Sequence, residues 1–147
     1  MCPNEINILT DICTPLPEPQ ARMYSPLTLA FLGDAVYSLM VRNMLTLSAN
    51  KPTGKLHKES IGYVNASFQA TIIKELLPIL TEEETAVFKR GRNAHSAHSP
   101  KNQSADDYRY ATGFEALFGY LYLCGYTDRL KELFNISANK RYQENNK

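Results

Sequence analysis

Leu29-Ala30-Phe31-Leu32-Gly33-Asp34-Ala35-Val36-Tyr37 reads as an apolar helix with a carboxylate set into it. An unpaired charge in that setting is costly unless something cationic compensates it. The face carrying Leu27, Ala30, Phe31, Tyr37 and Val41 has helical period, which puts Asp34 on the core-facing side. A second acid, Glu115, interrupts Gly113-Phe114-Glu115-Ala116-Leu117-Phe118-Gly119-Tyr120-Leu121 in the same way, and Gly119 allows another backbone to approach closely. Each acid taken singly also fits a plainer role, hydrogen bonding to a neighbouring helix end or pairing with an arginine such as Arg109. Two together point to a shared divalent cation. Without one, two buried acids repel and one would stay protonated, whereas a hard metal takes oxygen ligands and offsets the desolvation of both.

Working outward, Ser25-Pro26 supplies an N-cap and a proline at the first helical position, opening a helix that should run to about Leu47. Turn residues make Ala49-Asn50-Lys51-Pro52-Thr53-Gly54 a loop, and Lys55 to Leu77 reads as one helix or two, ending before Pro78. Thr81-Glu82-Glu83-Glu84 has the form of a capping box, so a short helix should reach about Lys89. From Arg90 to Gln103 the glycine, asparagines, serines and Pro100 predict a loop. Ser104 with Asp107 restarts a helix that should end near Cys124, with Gly125 as a left-handed cap, and a last short helix spans Asp128 to about Phe134. The expected organisation is an all-α chain: a Pro-rich arm at 1–24, one folded domain at 25–136, and a polar, frayed tail at 137–147.

A chain of 147 residues, 44% of them hydrophobic, suits one well-buried domain. Its net charge of +1 means that an anionic partner must be met by local clusters of base. Cys2, Cys13 and Cys124 are odd in number and lack Cys-x-x-Cys spacing, which argues against a disulfide framework and a structural zinc site. No basic start precedes an apolar run, and no stretch nears the roughly twenty apolar residues that span a bilayer. A soluble, cytoplasmic protein with reduced thiols and no membrane partner is expected.

Phe31-Leu32-Gly33-Asp34-Ala35, followed far downstream by Phe114-Glu115-Ala116-Leu117-Phe118-Gly119-Tyr120-Leu121-Tyr122-Leu123, resembles the two signature helices of the ribonuclease III catalytic domain. Lys89-Arg90-Gly91-Arg92-Asn93-Ala94, then Pro100-Lys101-Asn102 and Tyr108-Arg109-Tyr110, narrow the resemblance to Mini-ribonuclease III, a catalytic domain without a double-stranded-RNA-binding domain. The similarity covers about residues 26–135. Full-length ribonuclease III usually has a glutamate four residues before the Asp34 position and an aspartate three before the Glu115 position; here stand Ala30 and Thr112. The reduced acid set agrees with the Mini subfamily and implies more water around a metal.

The resemblance implies the ribonuclease III helical fold and metal-assisted hydrolysis of an RNA phosphodiester. Asp34 and Glu115 would be the catalytic metal ligands for one or two Mg²⁺ ions, with Mn²⁺ as a substitute, leaving 5′-phosphate and 3′-hydroxyl ends. It also implies that Phe31 is an aromatic knob in a C₂ homodimer, the other reading being a residue of the monomer core. The substrate would be double-stranded RNA, the terminal stem of precursor large-subunit ribosomal RNA in a bacterium or plastid, presented with a large-subunit ribosomal protein.

RNA contacts are expected from Lys89, Arg90, Arg92, Asn93 and Lys101, in a stretch without acids, together with Arg109. An ordinary solvated loop is the plainer alternative. His95 and His98 lie in that stretch without the carboxylates or thiols of a zinc site, and Lys55, His57 and Lys58 form a weaker basic cluster. The tyrosines 108, 110, 120 and 122 read as packing residues. The rival function is a non-catalytic, ribonuclease III-like RNA-binding module, for which the acids missing at Ala30 and Thr112 speak and the retained Asp34 and Glu115 do not.

Overall fold

Proline and glycine punctuation cuts the chain into α-helices in the computed structural model, which describes residues 15–94 and 103–147, the latter without the Gln103 side chain. The helices are α1 (Glu18–Arg22), α2 (Pro26–Ser48), α3 (Thr53–Ile61), α4 (Ala66–Leu76), α5 (Glu82–Asn93), α6 (Gln103–Leu123) and α7 (Thr127–Asn145), with a 3₁₀ turn at Leu77–Ile79. Among the described residues there is no strand, and no helix is long and apolar enough to cross a membrane. The fold is all-α, as the sequence predicts.

Helix α6 is the axis. Phe114, Ala116, Leu117, Phe118, Tyr120 and Leu121 are all buried, and a helix apolar on every side needs neighbours on every side. Helices α2, α4 and α5 supply most of that cover. The centre is aromatic: the Tyr37 ring lies edge-on to Phe114, Phe118 and Phe134 at centroid separations of 4.9, 5.5 and 6.0 Å. Its hydroxyl donates to the Tyr63 carbonyl at 3.0 Å, so the polar end is satisfied inside the core.

Several local expectations hold. Thr81 and Glu84 form both halves of the capping box, Glu84 N donating to Thr81 Oγ1 at 3.1 Å and Thr81 N to a Glu84 carboxylate oxygen at 2.9 Å. Gly125 takes a φ of 73°, the left-handed cap. The 55–77 stretch resolves into two helices, broken at 62–65, where Asn65 caps α4 by accepting from Phe68 N at 2.8 Å.

Three boundaries differ. The expected arm is anchored from residue 15 on: Leu16 N donates to the Leu123 carbonyl at 2.8 Å, Pro17 and Pro19 open α1 rather than forbidding it, and Ala21 is fully buried. Residues 1–14 lie outside the described residues. Helix α5 continues through Arg90, Gly91 and Arg92 to Asn93, because Gly91 is a packing seat against Gly113 and Ala116 of α6. Helix α7 continues past Phe134 to Asn145, so residues 137–145 are helical; Ser137 is fully buried, Lys140 pairs with Glu75 at 2.7 Å, and Arg141 lies 5.9 Å from the rings of Tyr63 and Phe68.

Candidate active site

Asp34 and Glu115 meet because two glycines let their helices touch. A Cβ on Gly33 would overlap the Glu115 carbonyl and stand 2.7 Å from Gly119 N; a Cβ on Gly119 would overlap the Leu29 carbonyl and stand 3.1 Å from Gly33 N. Backbone therefore packs on backbone where α2 crosses α6, and the residue after Gly33 is brought beside the acid one turn before Gly119.

The two acids differ in setting. Asp34 is exposed, which corrects the expectation of a core-facing aspartate. Helix α2 carries two apolar stripes. Leu29, Ala30, Gly33, Tyr37, Val41 and Leu45 are buried, while Leu27 and Phe31 are 51% and 83% exposed, and Asp34 continues that second, outward stripe. Glu115 is half-buried, and its carboxyl is pushed up to about 7, first by burial and then by the neighbouring Asp34 charge. The amide of Gln69 opposes that rise. So the predicted repulsion between the acids is present, and its effect is seen at Glu115.

The basic residues are split. Lys89 and Asn93 are exposed at the end of α5, and the Arg92 guanidinium lies 5.6 Å from the Phe88 ring centroid and 5.9 Å from that of Tyr110. Arg90 points elsewhere: it donates to the carbonyls of Arg22 and Tyr24 at 2.8 and 3.2 Å and so ties α5 to the α1–α2 turn. Arg109 pairs with Asp106 on its own helix rather than with Asp34. Lys101, His95 and His98 lie outside the described residues. Residues 90–93 are helical, which replaces the loop expected there.

Two residues near this face escaped the sequence reasoning. Lys74 sits 4.6 Å above the Tyr110 ring, and Gln69 is 2% exposed beside Glu115. A lone amide among Phe68, Ala70, Ile72 and Ile73 was the available signal for Gln69. The two departures from the longer family pattern, Ala30 and Thr112, are each 6% exposed, and the Thr112 hydroxyl donates back to the Tyr108 carbonyl at 2.9 Å. Among the described residues no group of three or more His, Cys, Asp or Glu gathers as a metal site.

The Ribonuclease III domain family model matches residues 27–126. A Mini-ribonuclease 3 from Thermoanaerobacter sp. (strain X514) is 50% identical over 78% of this chain and 80% of its own length. The Clostridium tetani Mini-ribonuclease 3 is 48% identical over 80% of this chain and 79% of its own. The chain belongs to the Mini-ribonuclease III family. A crystal structure of a Fusobacterium nucleatum protein superimposes with a TM-score of 0.73 at 34% identity, over 81% of this chain and 95% of that one. As a Mini-ribonuclease III, the chain is a ribonuclease III-type endoribonuclease, which sets aside the non-catalytic module. The helix crossing that joins Asp34 to Glu115 lies inside the matched region.

Proposed function

We propose that this chain is a Mg²⁺-dependent endoribonuclease that cuts double-stranded RNA as a homodimer, with the terminal stem of precursor large-subunit ribosomal RNA, carrying a large-subunit ribosomal protein, as its substrate. The observation that carries the reading is the carboxylate pair at the α2–α6 crossing, where Glu115 holds its proton to about 7 beside Asp34. A divalent cation fits this donor set. Both donors are hard oxygens, a cation would displace the proton from Glu115, and Mg²⁺ keeps several waters where protein ligands are few. When bound, such an ion supplies an activated water and polarises the scissile phosphate, with Mn²⁺ able to replace it.

The residues of the chain divide the remaining work. Asp34, on the exposed edge of the pair, meets the substrate side, and Glu115 fixes the inner side. Lys89, Arg92 and Asn93, at the end of α5, take the RNA backbone with Arg109, and the Arg92 guanidinium beside the Phe88 and Tyr110 rings suits a phosphate. Phe31, Leu27 and Met23 are 83%, 51% and 84% exposed around the start of α2, an apolar surface suited to a two-fold interface. Phe31 and Asp34 share one stripe, so that interface runs alongside the active site. A cytoplasmic location accords with the free, buried Cys124.

The test is cleavage of an end-labelled duplex RNA by wild type and Glu115→Gln, each with Mg²⁺ and with EDTA, repeated on a precursor ribosomal RNA stem with its ribosomal protein. Cutting by wild type alone, and only with metal, is expected. Cutting in EDTA, or equal cutting by the variant, overturns the carboxylate–metal mechanism; a stem left whole while other duplexes are cut overturns the ribosomal assignment.

A further inference from the structure

Helix α4 turns Phe68, Ala70, Ile72, Ile73 and Leu76 into the core, and one polar side chain, Gln69, goes in with them at 2% exposure. A buried carboxamide without partners destabilises a fold, and an apolar residue of the same size avoids that cost. Among the described residues Gln69 Nε2 has no hydrogen-bond partner. Its carboxamide lies beside the Glu115 carboxyl. The amide is near enough to be felt, yet its N–H is not committed.

The position of Gln69 is set from both ends. Asn65 caps α4, its side chain accepting from Phe68 N at 2.8 Å and donating to the Ile61 and Gly62 carbonyls at 2.8 and 3.1 Å, and Gln69 N closes the first turn onto the Asn65 carbonyl at 3.1 Å. Phe68 is itself buried, with its ring 5.9 Å from Tyr63, so α4 cannot turn without disturbing the core. We propose that Gln69 is a positioning residue for Glu115: its buried carboxamide donates through Nε2 to the ionised carboxylate and holds it for a divalent cation. The proposal rests on the reading of Glu115 as a ligand. Second partners of this kind fix the orientation of a ligating carboxylate, and removing them typically weakens metal binding about 10–100-fold.

Mn²⁺ binding to the RNA-free protein, followed by electron paramagnetic resonance, tests it on wild type, Gln69→Met and Glu115→Gln. Methionine keeps the length and removes the donor. Mn²⁺ affinity of Q69M should fall about 10–100-fold, while its resistance to urea in EDTA is unchanged or improved. Wild-type affinity in Q69M, with E115Q defective, overturns the role of Gln69 and leaves the metal site standing. Wild-type affinity in E115Q overturns the site itself. Should Q69M not fold, the side-chain amide resonances of Gln69 in the wild type decide: they should shift on adding Mg²⁺ and titrate together with Glu115, and resonances unmoved by both refute the contact.

Discussion

Removing the charge of Glu115 should make the metal-free protein more stable, although it should abolish cleavage. The Glu115 carboxyl is pushed up to about 7 from a usual value of 4.5, by burial first and the Asp34 charge second. Folded protein therefore binds more protons than unfolded chain between those values, and stability must fall as pH rises through that window. Below about pH 4.5 both states are protonated and the penalty is absent; above about 7 it is complete. At about 1.36 kcal/mol per pH unit, the full penalty comes to about 3 kcal/mol, and to about 2 where water reaches the group. Glu115→Gln keeps the shape and cannot ionise. Urea unfolding in EDTA at one fixed protein concentration, followed by circular dichroism, should find the variant nearly equal to wild type at pH 5 and about 2–3 kcal/mol more stable at pH 8. Mg²⁺ should then raise the wild type and leave the variant where it was. A gap that does not widen between pH 5 and pH 8, or a variant less stable at pH 8, would refute the placement of a strained carboxyl at this crossing.

Other perturbations probe separate parts of the molecule. Asp34→Asn should reduce duplex cleavage to background while leaving urea stability within about 0.5 kcal/mol, because Asp34 is exposed; equal loss of folding and activity would make it structural. Phe31→Ala should convert a dimer to monomers in light scattering without weakening the monomer, since the side chain is 83% exposed. Gly33→Ala should cost about 3 kcal/mol or more, read as a lower urea midpoint, because the added methyl overlaps the Glu115 carbonyl. Arg129→Leu should cost about 3–5 kcal/mol. Arg129 pairs in bidentate fashion with Glu84, at 2.9 and 2.8 Å, and the loss should shrink at low pH as the abandoned carboxylate takes a proton.

The sequence disclosed the helices wherever a local device encoded them. Thr81 and Glu84, Pro26 and Gly125 act within one turn, so their effect can be read from neighbours alone. What it hid depends on partners far along the chain. Gly91 has the composition of a helix breaker and serves as a seat for α6, which carried the expected loop four residues too early. The polar end of α7 has no amphipathic pattern to announce it, and is anchored by Lys140 on Glu75 and Arg141 beside Tyr63 and Phe68. Asp34 was placed inward because two apolar stripes on one helix look alike in sequence, and only the packed structure shows that the stripe of Leu27 and Phe31 has no neighbour within the chain's described core. The pairing of the two acids was legible for a different reason. Each interrupts an otherwise apolar helix, and two such acids point to a shared cation whatever the packing, while Gly33 beside Asp34 and Gly119 one turn after Glu115 are what let the two helices touch.

That crossing ties the stability of the fold to its chemistry. Helices brought to backbone contact by Gly33 and Gly119 gain close packing for Leu29, Tyr37, Phe114 and Phe118, but the same closeness forces a carboxylate onto the half-buried side of α6 next to another. A neutral residue in place of Glu115 would relieve that strain, and on the proposed metal-binding reading a cation would offset it instead, turning the strain into affinity for the ion. The same logic explains why fewer acids suffice here. Ala30 and Thr112 stand at buried positions, and carboxylates there would add two further charges to a site in which one already cannot ionise freely at neutral pH. A smaller acid set limits the charge this crossing must bury, and would leave a bound Mg²⁺ to be hydrated mainly by water.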